Sequence, residues 1–224
     1  MNIACTRLVA AIAFGLTSAS SFANTLITFE EATGLSAMQN SFVAVPLTAR
    51  LDIQYLSEGA LFSSTSAFVA LVDHFPPNPL ATPSPPNIVG GTSASGVLDY
   101  SAPVVVTFVV PGNASLDATT SFVSVLGDRF PDRSGTITMT AYGLTGNILG
   151  SVTAADTGPV GTGATLSLSL AGIHRVVLSN TNGTSGYDNL TFGPLVPVPE
   201  PPVSMLLLAG LAGTLLLRTG RHTK

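Results

Sequence analysis

Residue types able to do acid–base or nucleophilic chemistry are scarce in this chain and badly spaced for it. Of its three histidines, His222 lies in the last few residues, which leaves His74 and His174 far apart, with no histidine cluster at metal-binding spacing. Asp73 and His74 are neighbours, and an adjacent pair does not by itself arrange a base and the group that orients it. Gly91-Thr92-Ser93-Ala94-Ser95-Gly96 lacks the Gly-x-Ser-x-Gly elbow of serine hydrolases and has the composition of a loop. The single cysteine, Cys5, sits near the start of the chain. Paired carboxylates for glycoside hydrolysis depend on separation in space, which the sequence does not show. The expectation is therefore a chain with no catalytic residue and no enzymatic role, a secreted hydrolase being the least favoured alternative.

The two ends read as addresses. Residues 1–23 have a basic start at Arg7, an apolar run over 8–16 and a small-x-small close at Ser21-Phe22-Ala23, the pattern of a signal peptide cut between Ala23 and Asn24. Cys5 would leave with it, so the exported part has no cysteine and no disulfide to stabilise it. At the other end, residues 194–202 form a proline-rich spacer, 203–217 an uncharged apolar run, and 218–224 a basic tail with Arg218, Arg221 and Lys224. As a helix the apolar run would rise about 22 Å at about 1.5 Å per residue, short of a hydrocarbon core of about 30 Å. Bilayer thinning and snorkelling of Arg218 can absorb that mismatch, and the positive-inside bias puts the tail in the cytoplasm. The expectation is a single transmembrane helix over 203–217.

Between the ends, residues 24–193 are long enough for one domain with its own core. Outside residues 1–23 and 203–224 only Arg50, Arg129, Arg133 and Arg175 stand against all 12 acids, and there is no lysine. Such a surface repels nucleic acid and offers no groove to neutralise phosphates. Thr136-Ile137-Thr138-Met139-Thr140-Ala141-Tyr142 and Thr165-Leu166-Ser167-Leu168-Ser169-Leu170 alternate strictly, one face apolar and the other hydroxylated, as half-buried strands do. Further strands are predicted at 25–29, 51–56, 68–72, 104–110, 122–126, 148–153, 173–178 and 187–192, divided by turn signals such as Pro111-Gly112-Asn113 and Thr145-Gly146-Asn147. This pattern predicts an all-β fold, an antiparallel β-sandwich of the jelly-roll type, flanked by the signal peptide and one C-terminal apolar helix. Residues 76–86, with six prolines, predict an extended surface loop.

Pro199-Glu200-Pro201, followed by one apolar helix and a basic cluster, resembles the PEP-CTERM sorting signal of Gram-negative bacteria. The resemblance implies recognition and cleavage by an exosortase-type membrane peptidase at that motif, after handling by signal peptidase and the general export machinery. It implies an exported protein, transiently anchored in the inner membrane with its domain outside and then held at the cell surface or released.

The middle of the chain is similar to other domains that carry this tail, through Phe29-Glu30, Gly127-Asp128 and the closing Gly186-Tyr187-Asp188-Asn189-Leu190-Thr191-Phe192. Such domains resemble lectin-like jelly rolls that hold a structural calcium between the first and last strands. That likeness points to Glu30 and Asp188 as ligands, with Asp128 outlying, and to carbonyls and water completing the shell. The plain alternative makes both residues solvated acids at strand ends. The leading expectation is a non-enzymatic protein of the cell envelope or extracellular matrix. Its rival is a weak exopolysaccharide-binding module, for which the absence of tryptophan leaves only the tyrosines to stack on sugar rings.

Overall fold

The computed structural model describes residues 23–39, 41–73, 86–129, 135–156, 163–181 and 185–199. Fourteen strands run through them: β1 Thr25–Ile27, β2 Met38–Gln39, β3 Arg50–Leu51, β4 Ala60–Ser64, β5 Val69–Asp73, β6 Asn87–Gly91, β7 Val104–Val110, β8 Asn113–Arg129, β9 Gly135–Tyr142, β10 Ile148–Asp156, β11 Ala164–Ile173, β12 Arg175–Asn180, β13 Ser185–Phe192 and β14 Val196–Pro197. Short 3-10 turns at Leu47–Ala49 and Leu56–Glu58 are the only helical elements among the described residues.

One sheet has the order β4-β7-β12-β9-β10, and all its pairs are antiparallel. The other runs β11-β8-β13-β6-β5, with β1 continuing the outer edge of β13 and with β2 and β3 bordering β5. The 17-residue β8 belongs to both. Its first part pairs with β7 and β14, and its second part pairs with β11 and β13. The chain passes back between the sheets at His174, which separates β11 from β12.

Alternation decides which side chains meet between the sheets. Ile137, Met139 and Ala141 of β9, Val176 and Leu178 of β12, and Val104, Val106 and Phe108 of β7 turn inward. They share one apolar cluster with Val123 and Val125 of β8, Leu166 of β11, and Leu190 and Phe192 of β13. Phe108 and Phe192 join the two sheets directly, their ring centroids 5.0 Å apart. A second cluster, with Met38, Val45, Val72, Ile88 and Tyr100, covers the outer face of β5 and β6. Gly90 and Gly91 are needed there, because a Cβ would run into the Tyr100 ring at the first and the Ala102 carbonyl at the second.

The expected class needs correction. Strand is the dominant element of the described residues, which hold no α-helix, and β2 pairs with β5 in parallel, so the ladder is not purely antiparallel. Among the described residues no helix is long and apolar enough to cross a membrane. The single C-terminal transmembrane helix, and with it transient inner-membrane anchoring and handling as a membrane-bound exosortase substrate, has no counterpart there. Residues 203–217, where that helix is expected, lie outside the described residues, as do 1–22 of the signal peptide and 76–85 of the proline-rich loop. The proline-rich spacer begins inside the fold: Val196 and Pro197 lie opposite Thr119 and Ala118, and the Val198 N–H donates to the Asp117 carbonyl at 2.9 Å.

Since the Phe108–Phe192 contact spans the interior, Phe192→Ala should cost about 3–5 kcal/mol in urea unfolding. Phe192→Leu should lose clearly less. A cost below about 1 kcal/mol for the alanine variant would show that the two sheets do not share this core.

Candidate functional site

The outward face of the first sheet carries an ordered array of polar side chains. Because Ile137, Met139 and Ala141 point in, Thr136, Thr138, Thr140 and Tyr142 point out. Cross-strand register then fixes their neighbours. Thr138 lies between Thr153 of β10 and Ser179 of β12, and Thr140 between Ser151 and Val177. Tyr142 lies opposite Arg175 on one side and Ile148 on the other, and Arg175 lies opposite Thr107 of β7. The Thr138 and Thr153 hydroxyls are 2.9 Å apart, and those of Thr140 and Ser151 are 3.2 Å apart.

The Arg175 guanidinium lies over the Tyr142 ring, its Cζ 4.7 Å from the centroid. Its Nε is buried and has no hydrogen-bond partner. Ile148 is 65% exposed beside the ring, which extends the apolar part of the surface. None of the residues paired in these rows is a carboxylate. The face therefore offers hydroxyl donors and acceptors, one guanidinium and one aromatic ring. These groups suit the alternating polar edges and apolar faces of sugar rings.

Glu30 and Asp188 lie at the end of the β1–β13 ladder, just beyond the Ile27–Leu190 pair. Glu30 follows Phe29 and Asp188 precedes Asn189, and among the described residues these two neighbours are the non-glycine residues with positive φ, 65° and 49°. Asn87 clasps Glu30 from both sides, its backbone N–H donating to Oε1 at 2.7 Å and its Nδ2 to Oε2 at 3.0 Å. Asp188 is fully buried, and its Oδ1 accepts the Asn189 N–H at 2.6 Å. Desolvation holds the Glu30 carboxyl above its ordinary range; Asp73 and Glu31 add to this and the Asn87 bond opposes it.

Tyr55 packs against the same end. Burial pushes its hydroxyl up, and the charges of Glu31, Glu58, Glu30 and Asp188 push it further. The Tyr55 Oη and the Asp73 Oδ1 are buried without a partner. Among the described residues no three His, Cys, Asp or Glu converge as a metal cluster. The backbone of Asp128 lies opposite Gly186, two pairs along the ladder from Asp188.

Of the other expected site residues, Ala23 and Asn24 are exposed just before β1, and Pro199 is exposed at the last described position. Glu200, Pro201, Arg218, Arg221 and Lys224 lie outside the described residues. His174 spans the crossover between the sheets, with Nδ1 2.9 Å from the Ala118 carbonyl and Nε2 3.8 Å from Asp117. Asn87 and the Arg175–Tyr142 stack were not singled out by the sequence, which offered the tyrosines only as a group. Only the alternation of 136–142 pointed at the face, and it did not show which strand would lie alongside.

No family model and no curated protein matches the chain. Solved structures give distant likenesses. One is an arabinose-bound α-L-arabinofuranosidase, 13% identical, matched over 76% of this chain and 32% of that one, with a TM-score of 0.38. A DUF4465 family protein from Bacteroides caccae is 13% identical over 79% of this chain and 100% of its own, with a TM-score of 0.37. The K1 cleaved adhesin domain of Lys-gingipain from Porphyromonas gingivalis is 14% identical over 76% and 98%, with a TM-score of 0.35. The chain thus spans about a third of the arabinofuranosidase. At these scores the likenesses carry no argument about ligand or activity. An enzyme stands among them, and the expected absence of an enzymatic role is withdrawn.

Proposed function

We propose that this chain is a glycan-binding module that lays a saccharide across the outward face of β7, β12, β9 and β10. The observation that carries the reading is the register that sets Thr138, Thr140, Ser151 and Thr153 in hydroxyl pairs beside the Arg175–Tyr142 stack. Sugar hydroxyls exchange water for such groups at little cost, and a ring packed on Tyr142 and Ile148 adds apolar contact. A single shallow face of this kind binds weakly, and a polymer that engages many copies gains by avidity. An exopolysaccharide is the partner class that fits. The tail's likeness to the PEP-CTERM signal is a proposal about handling that rests on sequence alone.

Structural calcium belongs to the same reading. The supports are the two carboxylates at the end of the first and last strands of the ladder, the unpartnered Tyr55 Oη and Asp73 Oδ1 beside them, and the unfavourable crowding of charge around Glu30. Glu30 and Asp188 would hold the ion, with carbonyls and water making up the six to eight oxygens it takes. The ion would supply positive charge. It would relieve the repulsion among these acids and tie the ladder end together.

Two measurements follow. Affinity electrophoresis in gels cast with polysaccharide should show Tyr142→Ala binding about tenfold more weakly than the native protein, on the scale of a lost aromatic contact. Leu47→Ser, on the cover of the other sheet, should bind as the native protein does. Equal retardation of native and Tyr142→Ala proteins would remove the face from the account. Separately, millimolar calcium should raise the melting temperature and EGTA lower it, by an amount equivalent to about 2.7 kcal/mol at a hundredfold excess over Kd. Asp188→Asn should lose that response and Asp52→Ala keep it. Identical melting curves in calcium and EGTA would reduce Glu30 and Asp188 to structural acids.

A further inference from the structure

Arg175 occupies an unusual position on the proposed face. It opens β12, a strand flanked by β7 and β9, so it stands inside the sheet and not on its rim. Its neighbours in register are Thr107 and Tyr142, and no carboxylate partner accompanies it among the described residues. A half-buried guanidinium has lost part of its water, and an internal acid normally offsets that loss. Here one flat side is covered by the Tyr142 ring, and Nε is buried with nothing to accept its proton.

Stacking on a ring uses the face of a guanidinium and leaves its in-plane N–H groups free to donate. Those donors form a planar fork whose best match is an oxyanion, taken two-pronged. The chain as a whole carries a formal net charge of −4, so a general pull on polyanions is absent and any attraction has to be local. At physiological salt, charges beyond about 8 Å are largely screened, and the rows around Arg175 contain no acid to cancel it.

Building on the glycan reading, we propose that the saccharide this face takes is acidic: a polysaccharide containing uronic acid, with a sugar ring against Tyr142 and Ile148 and its carboxylate on Arg175. The hydroxyl rows of β9 and β10 then contact the neighbouring residues of the polymer. The face selects for charge at one point and for hydroxyls along its length.

Polygalacturonate and its fully methyl-esterified form separate the two ideas, since they share a backbone and differ in charge. In sodium buffer the native protein should bind the acid form about tenfold more tightly than the ester, the scale of one charge-assisted contact. Arg175→Gln should bind both forms equally, at the level of the ester. Arg175→Lys, which keeps the charge and loses the fork, should keep only part of the preference. Arg50→Gln, which removes an arginine stacked on Phe68 in the other half of the molecule, should keep all of it. Native protein that binds acid and ester alike, in a manner sensitive to Tyr142→Ala, would overturn the acidic ligand and leave the glycan face standing. A preference for the acid form that survives in Arg175→Gln would also overturn it, and binding to neither polymer would remove both.

Discussion

The membership of β8 in both sheets is the constraint on which the rest of the structure depends. A strand of 17 residues that pairs with β7 and β14 in its first part and with β11 and β13 in its second leaves the sheets no freedom to slide apart. Their inward side chains have to fill the space between them, and Phe108 and Phe192 meet there. Once Ile137, Met139 and Ala141 are committed to that interior, period-two alternation commits Thr138, Thr140 and Tyr142 to the outside. The outward polar face follows from the packing of the core. A one-residue slip of β9 would bury the hydroxyls and expose the apolar row.

The same logic explains how charge is distributed. With few cations and many acids, the molecule cannot neutralise its carboxylates by ion pairs alone. It uses backbone and amide donors instead, as in the clasp of Asn87 on Glu30 and the Asn189 N–H on Asp188. The acids gather at the end of the β1–β13 ladder, while the rows around Arg175 hold none. Two regions of opposite character result: one that gathers carboxylates and one that presents a cation.

Parts of this were legible in the sequence. Strict alternation identified β9 and β11, and the β-branched run identified β7, because an apolar face of that period has nowhere stable to go except a sheet. The length of β8 was not legible. Asn113, Ala114 and Ser115 have turn composition, and their pairing comes from the partner strand and not from their own propensity. Strand β6 was missed for a related reason. Gly90 and Gly91 weaken a strand in isolation, and their value appears only when Tyr100 and Ala102 are packed against them. For the site, the two acids at the ladder end were named through a resemblance, whereas Arg175 and Tyr142 are far apart in the chain and meet only through the register of β12 on β9. Register is a tertiary property, and no local pattern announces it.

Titration of isotopically labelled protein with oligogalacturonate, followed by amide chemical shifts, tests the central claim most directly. The account predicts that the largest shifts fall on Thr138, Thr140, Tyr142, Thr153 and Arg175, in consecutive rows of one face. Shifts centred instead on the outer cover of β5 and β6, around Phe42 and Tyr100, or no shifts at saturating concentration, would contradict it.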